Sequence, residues 1–185
     1  VSHETARRDL EVLQEQGLIK RVYGGAILSE QVSSLAGMAE PPCIMDASSS
    51  VEREAIGREA AKLVKEGDTV LLSVGSTVLQ IAKHIRDIKH ITVLTNSIFV
   101  LNELIDSDVR MFVLGGCVNS SEYDMEGHLT VEALKHFCVD IAFICAGGIT
   151  KENGVSDYNC EVAQVNKAIL SRARKTVLVA HAKKF

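Results

Sequence analysis

Small and polar residues recur in this chain wherever an apolar run gives way to a helical period. The first instance is Thr69-Val70-Leu71-Leu72-Ser73-Val74-Gly75-Ser76-Thr77, followed by apolar Val78, Ile81, Ala82 and Ile85. It reads as strand, tight loop and helix. A helix that starts in such a corner aims free backbone N–H groups and the positive end of its dipole at the loop. An anion, most simply a phosphate, is held there. Taken alone, the corner is better explained by a tight turn at Gly75 and a helix cap at Thr77. Other strand ends change the balance: Thr95-Asn96-Ser97, Gly115-Gly116, Gly147-Gly148, and the segment His181 to Lys184. Glycine permits close backbone approach, Ser, Thr and Asn donate to oxygen, and Lys184 adds a full charge. Capping accounts for any one of these ends. Five around one crevice favour a polyhydroxy or phosphorylated small ligand. The candidate ligand-binding residues are therefore Gly75, Ser76, Thr77, Thr95, Asn96, Ser97, Gly115, Gly116, Gly147, Gly148 and Lys184.

The elements that must carry these residues follow a regular rhythm. A helix is predicted over 51–65, closed by Gly67. Strands are predicted over 69–73, 91–95, 109–114, 140–146 and 176–180, alternating with helices near 77–85, 97–105, 130–137 and 159–173. Several strands are almost wholly apolar, the mark of a sheet covered on both faces. The expected fold class is α/β, a parallel sheet with helices on both faces and right-handed crossovers. The polar segment 116–127 reads either as a lid over the crevice or as an ordinary surface loop. The turn at 151–154, with Ser156 and Asp157, is ambiguous in the same way.

Upstream, residues 2–16 read as a helix with Ala6, Leu10 and Leu13 on one face and Gly17 as its stop. A short basic hairpin follows, turning at Gly24-Gly25. Between residues 29 and 50 the chain is polar and small, with Pro41-Pro42 and a Ser48-Ser49-Ser50 run, and reads as a linker. The expected organisation is 1–28, 29–50 as connection, and 51–185 as the body.

At 185 residues, 46% hydrophobic and 24% charged, the composition is that of an ordinary globular protein. No run approaches the ~18 apolar residues of a membrane span, and no leader opens the chain, so a cytoplasmic location and no membrane partner are expected. Five dispersed cysteines without a C-x-x-C pair and six scattered histidines give no metal site, and no cofactor is assigned. A net charge of -4 argues against a surface that grips nucleic acid throughout, but not against a small reading element. Within residues 1–26 four cations (Arg7, Arg8, Lys20, Arg21) face four anions (Glu4, Asp9, Glu11, Glu15), which by charge alone describes a solvated helix.

Motifs supply what charge does not. Val1-Ser2-His3-Glu4-Thr5-Ala6-Arg7-Arg8-Asp9-Leu10, Gly17-Leu18-Ile19, Arg21 and Tyr23-Gly24-Gly25-Ala26 resemble the DeoR family of bacterial repressors. The body continues the resemblance through the Gly-Ser-Thr corner, Val93-Leu94-Thr95-Asn96-Ser97, Leu114-Gly115-Gly116, Asp140-Ile141-Ala142-Phe143, Gly147-Gly148-Ile149, Gly154, Glu161 and Lys184-Phe185. The resemblance implies that residues 1–28 are the recognition helix and wing of a winged helix-turn-helix. Ser2, His3, Thr5, Arg7 and Arg8 would then meet the major groove and its phosphates, and Lys20 and Arg21 the backbone. It also implies a body similar in fold to ribose-phosphate isomerase, a phosphorylated sugar or related effector, operator DNA as partner, and a homo-oligomer reading paired half-sites. The motif's preceding helices are absent and relatives continue beyond Phe185, so a fragment that binds operator weakly is expected.

Two positions depart from the family pattern: Ser73 and His181 stand where relatives commonly have Asp. Two carboxylates suited to sugar hydroxyls are replaced, and His181 and Lys183 bring potential cations, which points to a more anionic ligand or to altered effector binding. A sugar-phosphate isomerase of the same fold is the alternative, with Glu126, Asp157 and Glu161 as unplaced acid and base candidates and no catalytic residue assigned.

Overall fold

Runs such as Val70-Leu71-Leu72 and Ile141-Ala142-Phe143-Ile144 leave no polar face for water, and each is at most 4% exposed. Only a sheet sandwiched between helices buries a strand on both sides. The computed structural model describes residues 50–185, two strands at 19–22 and 25–28, and helical positions Leu10, Val12 and Gln14. It divides into the units Val1–Pro42 and Cys43–Phe185. In the first, β1 (Ile19–Val22) pairs antiparallel with β2 (Gly25–Leu28), Val22 lying opposite Gly25. This is the expected hairpin.

The second unit opens with α1 (Ser50–Ala61), β3 (Thr69–Leu72) and α2 (Ser76–Ile85). Next come β4 (Thr92–Thr95), α3 (Ile98–Leu104) and β5 (Arg110–Val113). Two short strands, β6 (Cys117–Asn119) and β7 (Asp124–Glu126), precede α4 (His128–Leu134) and β8 (Val139–Ile144). The chain ends with β9 (Gly148–Thr150), β10 (Gly154–Ser156), α5 (Cys160–Arg172), β11 (Ala173–Leu178) and a 3-10 turn (Ala182–Lys184). The central sheet is parallel throughout, in the order β11-β8-β3-β4-β5. On one side α1 packs on α2 and α2 on α3, and α4 packs on α5. Leu134, Val165 and Ile169 from this second pair meet Leu71, Leu94 and Ala142 of the sheet in a buried cluster. The α1–α2 contact is close: a Cβ at Gly57 would collide with Gln80.

The last strand starts three residues earlier than the expected 176. Arg172 ends α5, and Ala173 is already extended and paired with Val139, so helix passes into strand with no intervening loop. The segment 116–127, read as a lid or a surface loop, holds the antiparallel pair β6–β7. Its strands have three residues each, too few to register a period of two. The pair is clasped to the end of β4 by the Ser97–Asp124 bridge, Ile98 N–H donating to Tyr123 O at 2.9 Å, and Met125 N–H donating to Asn96 O at 2.8 Å. The ambiguous turn at 151–154 closes a second antiparallel pair, β9–β10. Among the described residues no helix is long and apolar enough to cross a membrane.

Candidate functional site

From β3 the chain moves outward through β4 to β5, then returns to place β8 on the other flank of β3. The loops after β3 and β8 therefore leave in opposite directions, and a crevice opens between them. A cavity of about 290 Å³ occupies this place, at the lower end of the ~300–1,000 Å³ typical of small-molecule clefts. Its wall includes Val74 to Thr77 after β3, Cys145 to Gly147 after β8, and Val179 to His181 with Lys184 after β11.

The β3 corner is tight because two groups share one space. Gly75 has φ 144°, and a Cβ there would lie 2.5 Å from Cys145 Sγ and 2.9 Å from its Cβ. Only glycine lets the chain pass Cys145 and enter α2. Gly75 is the N-cap and no side chain caps α2, so Thr77 is not the cap. The helical ladder starts with Leu79 N–H donating to Gly75 O, leaving the amides of Ser76, Thr77 and Val78 ahead of it. The helices α3 and α5 differ: Ser97 Oγ accepts from Val100 N–H, and Asn159 Oδ1 from Glu161 N–H. A positive helix end without a side-chain cap thus faces the cavity at α2 alone among these three.

Lys184 reaches the same cavity from the far edge, its Nζ donating to Gly147 O at 3.2 Å. An ammonium has three protons, so two remain for another acceptor. His181 also lines the wall, and its buried Nδ1 has no hydrogen-bond partner. Across the mouth stand Asp157, Tyr158 and Asn159, with Glu122 from the β6–β7 connection. Asp157 Oδ1 accepts from Tyr158 N–H at 2.8 Å, and Asn159 Nδ2 donates to Glu126 Oε2 at 2.9 Å, tying the mouth to β7. Asn166 of α5 bridges the strand ends, accepting from Ser73 Oγ at 3.2 Å and donating to Cys145 O at 3.5 Å.

Of the residues expected at the site, Gly75, Ser76, Thr77, Gly147 and Lys184 line the cavity together. Thr95, Asn96, Ser97, Gly115, Gly116 and Gly148 are not among its lining residues. Thr95 Oγ1 donates to Leu72 O at 2.7 Å, Asn96 Nδ2 donates to Met125 O at 3.0 Å, and Ser97 caps α3. Gly115 O accepts from Thr130 Oγ1 at 2.9 Å, and a Cβ at Gly116 would meet Thr130 and Glu126. Gly148 lies in β9, opposite Ser156. The β4 and β5 ends serve the β6–β7 pair and α4, which cover them. Ser73 is 1% exposed and points its hydroxyl to Asn166, so it too is off the wall. Of His181 and Lys183, the first lines the cavity and the exposed second does not. Of the acid and base candidates, Asp157 lines it, Glu126 accepts from Asn159 and Asn119, and Glu161 sits in the first turn of α5. Ser2, His3, Thr5, Arg7 and Arg8 lie outside the described residues. Lys20 and Arg21 lie in β1, where the backbone alone is described.

Sequence reasoning missed Cys145, Tyr158, Asn159 and Asn166. Asn159 before an apolar helical period carried a capping signal. Asn166 carried none, because its role depends on the two strand ends that α5 spans.

The DeoR C-terminal sensor domain matches residues 48–185, and the DeoR-like helix-turn-helix domain matches residues 1–32. The chain belongs to the DeoR family of transcriptional regulators. It is 32% identical over 185 residues to the HTH-type transcriptional regulator GolR of Listeria innocua, covering 99% of this chain and 71% of that protein. The HTH-type transcriptional repressor GlcR of Bacillus subtilis is 34% identical over 184 residues, covering 97% and 68%. In fold the chain is similar to ribose 5-phosphate isomerase from Plasmodium falciparum, with TM-score 0.54, 15% identity, and coverage of 73% of this chain and 52% of that one. The Methanocaldococcus jannaschii isomerase gives TM-score 0.53 at 17% identity, with coverage of 74% and 54%. The chain thus spans about half the length of these isomerases.

Proposed function

We propose that this chain is the sensing part of a repressor of sugar metabolism genes. Its cavity binds a phosphorylated sugar or related metabolite, and occupancy biases how residues 1–28 meet operator DNA. The observation that carries this reading is the cavity at the β3/β8 divergence, which is lined both by the α2 N-terminus without a side-chain cap and by the Lys184 ammonium. A phosphate between them gains backbone N–H donors, the helix dipole and a full charge. Allosteric coupling requires different ligand affinity in two arrangements of the protein. The family's reading of paired half-sites further implies a homo-oligomer.

The test uses this chain within a protein that carries a complete winged helix-turn-helix motif. It then measures operator binding in a gel shift with and without a panel of sugar phosphates, with turnover assayed on the same panel. A ligand-dependent change in operator binding without turnover is expected. Turnover would support the isomerase alternative, which rests on fold likeness, and indifference of DNA binding to every ligand would leave only a structural module.

A further inference from the structure

Tyr158 is the feature of the cavity that phosphate recognition leaves unexplained. Its side chain is 91% exposed, although it lines the cavity wall. Single exposed apolar residues are ordinary on protein surfaces. The backbone that carries this one is held in place by specific contacts. Asp157 Oδ1 accepts the N–H of Tyr158 at 2.8 Å and that of Asn159 at 3.4 Å, which fixes the backbone on both sides of the ring. Asn159 in turn caps α5 and donates to Glu126 Oε2 at 2.9 Å. The ring edge lies over Gly147, where an added Cβ would be 3.0 Å from Cδ2 and 3.1 Å from Cε2. Gly147 is itself the residue whose carbonyl accepts from Lys184 Nζ. An aromatic ring largely open to water, carried on a backbone that Asp157 fixes, therefore stands beside Gly147 and the Lys184 ammonium that donates to it.

Tyrosine presents an apolar ring with a polar tip, and the ring face carries negative charge density. The complementary surface is a set of C–H groups with slight positive charge, presented flat. A sugar closed into a ring offers such a face, and an open polyol does not. Resting on the sensor reading above, we infer that Tyr158 is a positioning residue that packs against the C–H face of a cyclic sugar whose phosphate lies at the α2 corner. The ligand class is thereby narrowed to ring-form sugar phosphates over their acyclic counterparts.

The test titrates the 185-residue chain with glucose 6-phosphate, galactose 6-phosphate, the corresponding hexitol 6-phosphates and inorganic phosphate. Affinity is read by calorimetry and by intrinsic fluorescence, which is clean because the chain has no tryptophan and three tyrosines. A cyclic phosphate is expected to bind more tightly than its hexitol and to change tyrosine emission. Tyr158→Ala should weaken it roughly five- to tenfold, the scale of an aromatic contact. Tyr158→Phe should restore affinity yet lose the emission change, which a merely structural role would not produce. Unchanged melting temperatures of both variants, expected at so exposed a position, exclude unfolding as the cause. Equal affinity for ring and open forms, or full affinity in Tyr158→Ala, overturns this inference while leaving the sensor reading intact. Failure of every probe to bind the unaltered chain overturns the sensor reading, and this inference with it.

Discussion

Gly75 and Lys184 carry opposite halves of the proposed anion site and make different predictions. At Gly75 the constraint is steric, since any Cβ meets Cys145 and φ 144° is unfavourable for other residues. Gly75→Ala should cost about 1–3 kcal/mol of stability by overpacking and weaken phosphate binding together, checked by denaturant unfolding and calorimetry. Lys184 instead contributes charge at a half-buried position. Lys184→Met should leave stability nearly unchanged and lower affinity for a phosphorylated ligand about tenfold or more, as expected for a lost hydrogen bond to a charged group. An equal effect of Lys184→Met on a neutral sugar would remove Lys184 from the anion site. The two residues were visible in the sequence for unequal reasons. The glycine stood at a strand-to-helix transition, whereas Lys184 was one of several polar residues after the last strand, and only the bond to Gly147 O brings it to the cavity.

Among the described elements, the β6–β7 pair carries a buried carboxyl at Asp124. Asp124 is fully buried where the pair meets β4, and neither its Oδ1 nor Asn96 Oδ1 has a hydrogen-bond partner. Burial, with the neighbouring Glu126 and Glu122 charges, pushes its carboxyl up to about 6, against a model-peptide value near 3.8. The folded state therefore binds the proton more tightly than the unfolded state. Below pH ~3 Asp124 is neutral in both states and costs nothing extra. As pH rises from ~4 to ~6 the unfolded chain releases the proton first and stability falls, by up to about 3 kcal/mol once both states are ionised. Asp124→Asn should flatten this segment of the stability-versus-pH profile and raise stability at pH 8, measured by urea unfolding; an unchanged slope between pH 4 and 6 would assign the dependence elsewhere. Helix packing gives a second prediction at this scale. Gly57→Leu should loosen α1 from α2 and cost at least about 1–3 kcal/mol, because the added side chain meets Gln80 and the α2 backbone. The sheet strands were legible as short, almost continuous apolar runs, and most of the helices because their apolar residues repeat with a clear period. The β6–β7 pair was not, since three-residue strands of mixed polarity acquire their pairing only when β4 and α4 bury one side of them.

For the whole molecule, the order β11-β8-β3-β4-β5 decides which strand ends share a cavity. Sequence identifies the five ends but not their neighbours, so it grouped all five, whereas the cavity lies at β3, β8 and β11. The ends of β4 and β5 are covered by the β6–β7 pair and α4, an arrangement that follows from topology and not from any local pattern. A ligand that binds this cavity only in the folded state must also stabilise the body. At a concentration of about 100 Kd the gain is about 2.7 kcal/mol, or roughly 5–10 °C in Tm for a body of this size. The most direct measurement of the central claim is calorimetric titration of the unaltered chain and Lys184→Met with a hexose 6-phosphate and with the same hexose lacking its phosphate. The phosphate ester is expected to bind the unaltered chain more tightly than the free sugar, and Lys184→Met to remove most of that difference. Equal or tighter binding of the free sugar, or a preference for the ester that survives in Lys184→Met, would contradict that claim.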